Sequence, residues 1–449
     1  MSKTVAFYTL GCKVNQYETE AMAELFARRG YRVVPFDSRA DVYVVNTCTV
    51  TGTAAQKSRQ AIRRAVRTNP EALVAVTGCY AQVAPQEIAA IPGVRVVLGT
   101  RGHGKIVELV EQAAATGVAV IAVEDIEKAR TFEELPVVAA RGRTRAFLKV
   151  QEGCREFCTF CIVPYARGPL RSRAPEKVLE EARALVGAGH RELVLTGTHL
   201  GLYGRDLPGG PDLAGLVARL LEIRGLVRLR LSSIEPLEVT PALLELMASS
   251  PVLCPHLHIP LQSGDDCTLA RMGRRYKAAQ YAAVIENIRR AVPEVGIYAD
   301  VMVGFPGEDE EAFRRSYAFV ASLGLAGLHV FKYSPRAGTP AAAFKEQVAP
   351  AVKQSRLETM LALDRTLRQR FAAQFLGRVV EVLVEQATRQ GLATGYTPQY
   401  VRVAFQDGDA PVGEVVRVLA KKVENGIIKG TRHEKKDSYL QASNNGYNM

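Results

Sequence analysis

Apolar segments in the first 115 residues alternate with segments of helical spacing. Strands are predicted for four short apolar runs, VAFYTL (5–10), DVYVVN (41–46), LVAVTG (73–78) and VRVVLG (94–99). Apolar strands that alternate with helices are typical of a parallel sheet that is covered on both faces. The pattern therefore predicts a doubly wound α/β domain over residues 1–115.

A second series of apolar runs follows residues 116–143, a charged and irregular stretch that we interpret as a linker. Six strands are predicted between residues 144 and 375, at AFLKVQ (146–151), ELVLTG (192–197), VRLRLSSI (227–234), HLHIPL (256–261), GIYADVMVGF (296–305) and GLHVFKYS (327–334). Helical segments separate these strands. Six successive βα units indicate an open, partial (β/α)6 barrel with its chemistry at the carboxyl ends of the strands.

The pattern changes again near Gly377, after which short strands follow one another without helices. Residues 376–423 therefore predict a small all-β module of the size of an oligonucleotide-binding fold. Residues 424–449 are polar and show no period, so we expect a disordered tail there. The expected fold class is α/β with this small β module at the C-terminal end.

The composition is that of a soluble globular protein, with 47% hydrophobic and 23% charged residues among 449. No apolar run approaches the roughly 18 residues of a membrane span, and the first residues lack the features of a signal peptide. We therefore expect a cytoplasmic monomer that does not bind membranes. Its eight cysteines are then expected to be thiols, metal ligands or catalysts rather than disulfides.

Basic residues outnumber acidic residues by 58 to 46, and the excess is clustered. The segment KSRQAIRRAVR (57–67) contains no acidic residue and holds Lys57, Arg59, Arg63, Arg64 and Arg67. Helical spacing spreads these side chains over much of one surface. A solvated basic face is one interpretation. The interpretation that we favour is a surface for a polyanion, with nucleic acid as the first candidate.

Three cysteines stand close together in EGCREFCTFC (152–161), with the spacing C-x3-C-x2-C. A structural zinc site and a closed iron–sulfur cluster each need four protein ligands, so Cys154, Cys158 and Cys161 would leave one metal position open. S-adenosylmethionine could chelate an open iron through its amino and carboxylate groups, and one-electron reduction would then give an adenosyl radical. Phe157 and Phe160 would keep water away. A zinc site or plain thiols are the alternative.

A second trio of cysteines is spread along the N-terminal domain. Cys12, Cys48 and Cys79 each follow a predicted strand, in VAFYTLGC, DVYVVNTC and LVAVTGC. The carboxyl ends of parallel strands share one edge of a sheet, so we expect the three thiols to converge. They would then form a second incomplete site, with an iron that can carry a sulfur atom. Separate buried, inert thiols are the alternative.

Several segments together resemble the radical S-adenosylmethionine methylthiotransferase family. Besides the three-cysteine loop, they are TLGCKVNQYETE, VNTCTVTGTAAQKSRQ, VTGCYAQ, LTGTHLGLYGRDL, HIPLQSGDD and DVMVGFPGEDEEAF, in that order along the chain. GCKVNQYETE and NTCTVT are similar to the branch of the family that acts on N6-threonylcarbamoyladenosine beside the tRNA anticodon.

The resemblance implies two four-iron four-sulfur clusters and S-adenosylmethionine as cofactors. The loop cysteines would hold the radical-generating cluster, and the scattered trio would hold an auxiliary cluster that delivers sulfur. The implied reaction is methylthiolation of C2 of N6-threonylcarbamoyladenosine in tRNA. The implied partners are the anticodon stem-loop, bound in part by a TRAM-like C-terminal β module, and a reduced flavodoxin or ferredoxin-type electron donor.

Other candidate residues for binding the cofactor lie in the cysteine loop and at the strand ends of the predicted barrel. They are Phe160, Thr196, Gly197, Ser233, Glu235, Gln262, Asp300 and Gly304. The polar groups among them could hold the amino, carboxylate and ribose groups of S-adenosylmethionine. Turns and structural hydrogen bonds are the alternative for each. His199, His256 and His258 are interpreted as structural residues.

Two other functions compete with this interpretation. Within the same class of enzyme, the substrate would be isopentenyladenosine in tRNA or an aspartate of a ribosomal protein. In a different class, the chain would be a non-catalytic RNA-binding protein that holds zinc or iron in structural sites. Metal analysis and an anaerobic test for S-adenosylmethionine cleavage distinguish the second alternative.

Overall fold

The computed structural model describes residues 3–136, 144–388 and 390–433. Within these ranges the chain forms three assemblies, each built on its own sheet. Short 3-10 turns lie between the main elements at His103–Lys105, Ile126–Lys128, Leu200–Leu202, Pro236–Glu238 and Pro340–Ala343.

The first assembly is a six-stranded parallel sheet with helices on both faces. Its strands are β1 Thr4–Thr9, β2 Arg32–Val34, β3 Val42–Thr47, β4 Leu73–Gly78, β5 Val94–Leu98 and β6 Val120–Ala122. They pair in the order β2-β1-β3-β4-β5-β6. The helices are α1 Lys13–Arg28, α2 Gly52–Thr68, α3 Cys79–Val83, α4 Pro85–Ala89 and α5 Ile106–Thr116.

Alternate residues of the buried strands fill two apolar layers, one on each face of this sheet. Val45 and Val74 pack in one layer with Ile62 of α2, and Val44 packs in the other with Phe26 of α1. The predicted doubly wound domain is therefore confirmed. The stretch 116–143 is not wholly irregular, as we expected, because β6 forms the edge of the sheet; its last residues, 137–143, lie outside the described ranges.

The second assembly is a partial barrel of βα units. Its strands are β7 Arg145–Glu152, β8 Arg171–Ser172, β9 Glu192–Gly197, β10 Arg228–Leu231, β11 His256–His258, β12 Gly296–Val303 and β13 Gly327–Lys332. Its helices are α6 Val163–Arg167, α7 Pro175–Gly187, α8 Leu213–Leu221, α9 Pro241–Ser249, α10 Asp266–Arg271, α11 Ala278–Ala291, α12 Glu310–Ser322 and α13 Pro350–Ala373.

Six strands of this assembly run parallel in the order β7-β9-β10-β11-β12-β13, as the predicted (β/α)6 series requires. Two isolated bridges, Leu229 with Leu253 and Ser233 with His258, join β10 to β11. The short strand β8 adds an antiparallel edge beside β7. One large apolar core fills the space between the strands and the helices.

The third assembly is a closed five-stranded β-barrel. Its strands are β14 Val379–Ala387, β15 Leu392–Tyr396, β16 Arg402–Gln406, β17 Val415–Glu424 and β18 Ile427–Arg432, in the order β14-β15-β16-β18-β17. The expected boundary at residue 423 is wrong, because β18 pairs with both β16 and β17 and closes the barrel. Asn425 and Gly426, both at positive φ, form the tight turn that returns the chain. Residues 434–449 of the expected tail lie outside the described ranges.

The small barrel packs against the amino ends of the central strands. Arg230 is buried, and its guanidinium pairs with Glu192 and donates a hydrogen bond to the carbonyl of Pro398 at 2.7 Å. Arg145, the first residue of β7, pairs with Glu385 at 2.7 Å. One end of the partial barrel is therefore covered, which leaves the carboxyl ends of its strands for the site.

Ile428 tests whether residues 427–432 close the β-barrel. Its side chain is fully buried, so we expect Ile428→Ala to lower the free energy of unfolding by about 2–5 kcal/mol. Equilibrium urea unfolding followed by circular dichroism measures the change. The matched control is Ile121→Ala on the exposed edge strand β6. Equal stability of the two variants would show that the closing strand is misassigned.

Candidate active site

The first cysteine trio lies on the loop between β7 and α6, at the carboxyl end of the first barrel strand. Gly153 enters the loop at positive φ, and a Cβ there would collide with the carbonyl of Pro169. The amide of Cys154 then donates to the carbonyl of Gly168 at 3.0 Å, and the amide of Cys161 donates to the carbonyl of Cys158 at 2.9 Å. These bonds fold the loop back on itself and bring its three thiols into one region.

Burial dominates the chemistry of these thiols. It raises the pKa of Cys161 to about 12, and the neighbouring thiols of Cys158 and Cys154 act in the same direction. Arg274 donates a hydrogen bond to the Cys158 sulfur at 3.5 Å, which favours the thiolate. A bound iron would favour the thiolates much more strongly.

His199, which the sequence led us to interpret as a structural residue, contacts the cysteine loop directly. Its Nδ1 lies 3.3 Å from the Cys154 sulfur, and its Nε2 lies 2.7 Å from Glu238. Burial alone would lower the pKa of His199, but its hydrogen bonds with Cys154 and Glu238 outweigh burial and raise the pKa to about 10. His199 therefore presents a positive charge to the sulfur of Cys154.

The second trio also converges. Cys12, Cys48 and Cys79 follow β1, β3 and β4, which are neighbours in the parallel sheet. Burial raises the pKa of Cys79 to about 12, and the charges of Cys48 and Cys12 act on it in the same direction. Gly78 makes the approach possible, because a Cβ there would collide with the side chain of Asn46.

The donor chemistry of both trios fits iron–sulfur clusters. All six cysteines are free thiols, and thiolates are the ligands that such clusters use. Each trio combines buried and more accessible positions: Cys48 and Cys79 are buried, while Cys12 is exposed. Three thiolates on a four-iron cluster would leave one iron open to a further ligand.

Arg167 connects the two trios. It is the last residue of α6, which begins two positions after Cys161, and its Nε donates to the sulfur of Cys79 at 3.4 Å. Its other nitrogens donate to Asn15 at 2.8 Å and to Glu152 at 2.6 Å, and they also bond to Glu18. This single guanidinium thus joins both cysteine regions.

A second cation completes the buried network. The ammonium of Lys149 lies 2.8 Å from Glu18 and 3.1 Å from Glu152. All four charged side chains, including Arg167, are at most 3% exposed. Burial alone would raise the pKa of Glu18, but Arg167 and Lys149 outweigh burial and lower it. Both carboxylates are therefore ionised, and the sheet domain is tied to the barrel by buried charges.

Some predicted cofactor residues do come together beside the loop. A cavity of 170 Å³ is lined by Cys158, His199, Glu235, Arg274 and Tyr276, among others. Glu235 forms an ion pair with Arg274. The cavity therefore brings a predicted carboxylate next to a predicted cluster ligand.

Three further predicted residues lie along the neighbouring strand ends. Ser233 hydrogen-bonds to Nδ1 of His258 at 3.0 Å, and Nε2 of His258 lies 2.9 Å from Asp300. His329 lies 3.4 Å from the same carboxylate. Gln262 has positive φ, and its side-chain oxygen is buried without a hydrogen-bond partner among the described residues. That oxygen is a free acceptor for a ligand.

The remaining predicted residues have structural contacts. Thr196 is buried in β9, and Gly197 packs closely against Gln151. The amide of Gly304 donates to Glu308 at 2.8 Å. Phe160 packs near Phe305, with ring centroids 6.4 Å apart. For these four residues, a structural role accounts for what the structure shows.

A larger cavity of 450 Å³ extends along the interior of the barrel. Lys13, which follows Cys12, projects into it together with Arg145, Arg230, His258 and His329. Burial, followed by the charges of Arg145 and Arg230, lowers the pKa of Lys13 to about 8. The volume is within the range of about 300–1,000 Å³ that small-molecule sites occupy.

Comparison with known proteins agrees with this geometry. Residues 4–99 match the group described as Uncharacterized protein family UPF0004, residues 148–320 the Radical SAM superfamily, and residues 373–431 the TRAM domain. A Bacillus subtilis (strain 168) protein named Threonylcarbamoyladenosine tRNA methylthiotransferase MtaB is 46% identical over 93% of this chain and 94% of its own length. A protein of the same name from Aquifex aeolicus (strain VF5) is 39% identical over 92% of this chain and 99% of its own length.

The chain belongs to the radical S-adenosylmethionine methylthiotransferase family. The predicted family is thereby confirmed. Among solved structures, the radical S-adenosylmethionine methyltransferase TsrM from Kitasatospora setae is similar in fold, with a TM-score of 0.55 and 17% identity, covering 76% of this chain and 75% of that one. In the described ranges of this methylthiotransferase family member, none of the helices has the length and hydrophobicity of a membrane span.

The basic helix α2 divides into two groups of side chains. Lys57, Arg63 and Arg67 are exposed. Arg64 instead stacks on the rings of Tyr8 and Phe36, with its guanidinium carbon 4.9 and 4.8 Å from their centroids. Arg59 donates a hydrogen bond to the hydroxyl of Tyr80 at 2.6 Å. The exposed group is therefore the part of this helix that is free to meet a polyanion.

Sequence reasoning missed Arg167, Lys13, His199 and Arg274. Charged side chains are mostly solvated, so nothing in the neighbouring sequence distinguished Arg167 or Lys13 from surface residues. One signal was present: Lys149 interrupts the apolar strand AFLKVQ, and a charge inside a buried strand requires a buried partner.

Replacing Arg167 tests the buried network. Arg167→Met keeps a similar bulk but removes the cation that Glu18 and Glu152 share. Lys149 and Arg171, which lies 3.5 Å from Glu152, remain, but Glu18 loses its guanidinium partner in a buried site. We therefore expect a loss of about 3–5 kcal/mol in the free energy of unfolding. Equilibrium urea unfolding measures it, with Arg63→Met on the exposed face of α2 as the control. A loss no greater than that of the control would mean that the network does not stabilise the domain contact.

Reversing the three exposed charges of α2 tests this surface for RNA. We expect the Lys57→Glu, Arg63→Glu, Arg67→Glu triple variant to bind tRNA more weakly, because its attraction for phosphates is removed. The slope of log K against log salt should become shallower by roughly 0.7–0.9 for each phosphate that the variant no longer neutralises. Filter binding over a salt series provides both quantities.

The matched control reverses the same number of exposed charges on the outer surface of the barrel, at Lys177 and Arg183 in α7 and at Arg224 in the turn after α8. If both triple variants change the affinity and the salt slope equally, α2 contributes only through net charge and is not a specific RNA surface.

Proposed function

We propose that this chain converts N6-threonylcarbamoyladenosine next to the tRNA anticodon into its 2-methylthio derivative. The observation that carries the proposal is the proximity of two separate groups of three thiols. Arg167 ends α6, the helix that follows the cysteine loop, and it donates a hydrogen bond to the sulfur of Cys79 in the second trio. The substrate is inferred from the relatives, which are named for this activity and cover almost the whole chain.

The reaction explains the need for two such groups. The C2–H bond of adenine is neither acidic nor open to ordinary nucleophiles. With both clusters and S-adenosylmethionine bound, the cofactors would supply a 5'-deoxyadenosyl radical and the sulfur atom that C2 receives. A second S-adenosylmethionine would supply the methyl group of that sulfur. When the radical source, the sulfur source and the base are held in one cleft, they need not meet by diffusion, and their reaction becomes effectively unimolecular.

The chain's own residues prepare this cleft. Cys154, Cys158 and Cys161 would hold the radical-generating cluster, and burial of Cys158 limits the access of water there. His199 and Arg274 place positive charge beside the thiolates of that loop. Cys12, Cys48 and Cys79 would hold the auxiliary cluster.

The partners follow from the same arrangement. Helix α2 begins four positions after Cys48, and Lys57 lies in its second turn, so a phosphate that Lys57 binds would lie at the end of the helix nearer to the auxiliary site. The closed β-barrel, which matches the TRAM domain, offers a second surface for tRNA. We propose a reduced flavodoxin or ferredoxin-type protein as the electron donor and a monomer as the working form.

Loss of one thiol in each trio separates the two roles. Anaerobically reconstituted protein should hold about eight iron atoms, four for each of two clusters. We expect Cys79→Ala to hold about four, to cleave S-adenosylmethionine still, and to form no 2-methylthio product. Cys161→Ala should lose S-adenosylmethionine cleavage as well. Iron analysis and mass spectrometry of nucleosides from threonylcarbamoylated stem-loops report these outcomes.

Cys267→Ala is the matched control, because Cys267 is exposed and belongs to neither trio; it should retain full iron and full activity. Product formed on isopentenyladenosine or on a ribosomal-protein aspartate, but not on the threonylcarbamoylated stem-loop, would overturn the substrate. Bound zinc, or S-adenosylmethionine left intact after reduction, would instead indicate the non-catalytic RNA-binding protein.

A further inference from the structure

The 450 Å³ cavity in the barrel interior is strongly cationic. Four arginines and one lysine line it, and no aspartate or glutamate does so among the described residues. These cations are Lys13, Arg145, Arg230, Arg368 and Arg402. A cavity with this lining favours an anionic ligand over a neutral or cationic one.

Most of these positive charges are already neutralised by carboxylates behind the wall. Arg145 pairs with Glu385 at 2.7 Å, and Arg230 pairs with Glu192 at 2.7 Å. Arg368 is likewise paired, with Asp364 at 2.8 Å. Their charges therefore hold the small barrel and α13 against the cavity and are not free for a ligand.

Lys13 differs from these three paired arginines. It also differs from Arg402, which has no ion pair among the described residues but is exposed to solvent. Within the described ranges, no carboxylate lies within ion-pair distance of its ammonium. The carboxylate of Asp300 also lies in this part of the barrel, but it is held by His258 at 2.9 Å and by His329 at 3.4 Å. A half-buried ammonium without a partner, at the wall of a cavity, is a site for a carboxylate or phosphate.

We propose that Lys13 binds the carboxylate of the threonyl group of the substrate and thereby selects the N6-threonylcarbamoyl base. This inference rests on the proposed function and names the group that recognises the substrate there. Lys13 directly follows Cys12, so an anion held by its ammonium lies beside the auxiliary site from which C2 would receive sulfur.

The chemistry of the base agrees with this position. The ureido N–H of the N6 substituent can hydrogen-bond to ring N1, which turns the threonyl group toward the same edge of the base as C2. The carboxylate and the reacting carbon then lie on one side. An N6-isopentenyl group has no charge, so it would leave the Lys13 ammonium buried beneath an apolar chain and unpaired. Such an uncompensated group disfavours the wrong ligand strongly.

Binding measurements test this proposal independently of turnover. The probes are two anticodon stem-loops that carry the N6-threonylcarbamoyl base, one with the natural carboxylate and one with that carboxylate converted to a carboxamide. The reconstituted wild-type protein, kept anaerobic and without S-adenosylmethionine, should bind the carboxylate form at least tenfold more tightly. Lys13→Met should bind both forms equally, and Lys13→Arg should restore most of the preference.

Three controls make the result specific. Lys105→Met removes an exposed lysine of the same domain and should keep the full preference. The iron content of Lys13→Met should equal that of the wild type, which shows that Cys12 still holds its cluster. Its cleavage of S-adenosylmethionine should also be unchanged, which shows that the cluster of the cysteine loop is intact. In turnover, Lys13→Met should raise KM for the carboxylate stem-loop at least tenfold and leave kcat nearly unchanged.

Equal binding of the two stem-loops by the wild-type protein would overturn the inference without any variant being needed. A preference that persists in Lys13→Met would also overturn it, because another group would then hold the carboxylate. If the preference follows Lys13 but no 2-methylthio product forms, the inference holds and the proposed function fails. The two claims are therefore separable.

Discussion

The buried charges of Arg167, Lys149, Glu18 and Glu152 are the constraint on which the rest of this structure depends. Charges removed from water are costly unless each is paired and hydrogen-bonded. Glu18 belongs to the sheet domain, and its two closest cationic partners, Lys149 and Arg167, belong to the barrel. Its charge is therefore compensated mainly across the contact between the two assemblies. The two assemblies therefore have one favourable arrangement, and that arrangement fixes the distance between the cysteine trios.

The two ends of the central barrel have different roles. At the amino ends of its strands, Arg230 and Arg145 hold the small β-barrel through ion pairs and backbone carbonyls. At the carboxyl ends, the cysteine loop faces the thiols of the sheet domain. The cavity that contains Lys13 extends between these ends, so residues of the small β-barrel and the residue next to Cys12 line one continuous interior.

The pattern of apolar and polar residues predicts some elements of this fold better than others. Long apolar strands that alternate with helices were predicted well, because burial on both faces leaves a strong local signal. The strands β2, β6 and β18 were missed, since they are short or half exposed and gain their stability from neighbours distant in the chain. Arg64 was misjudged for the same reason: its aromatic partners, Tyr8 and Phe36, come from other parts of the sequence.

The sequence by itself determined the donor chemistry of the two sites: three thiols on one loop and three more at the ends of parallel strands. Ligand type, spacing and position at a strand end are local properties, so they can be recognised before folding is known. Only the tertiary structure decided which charges neutralise one another and which remain free. Arg167 meets Glu18 across 149 positions and Lys149 meets it across 131, and electrostatic partners at such separations are chosen by packing, which no local pattern encodes.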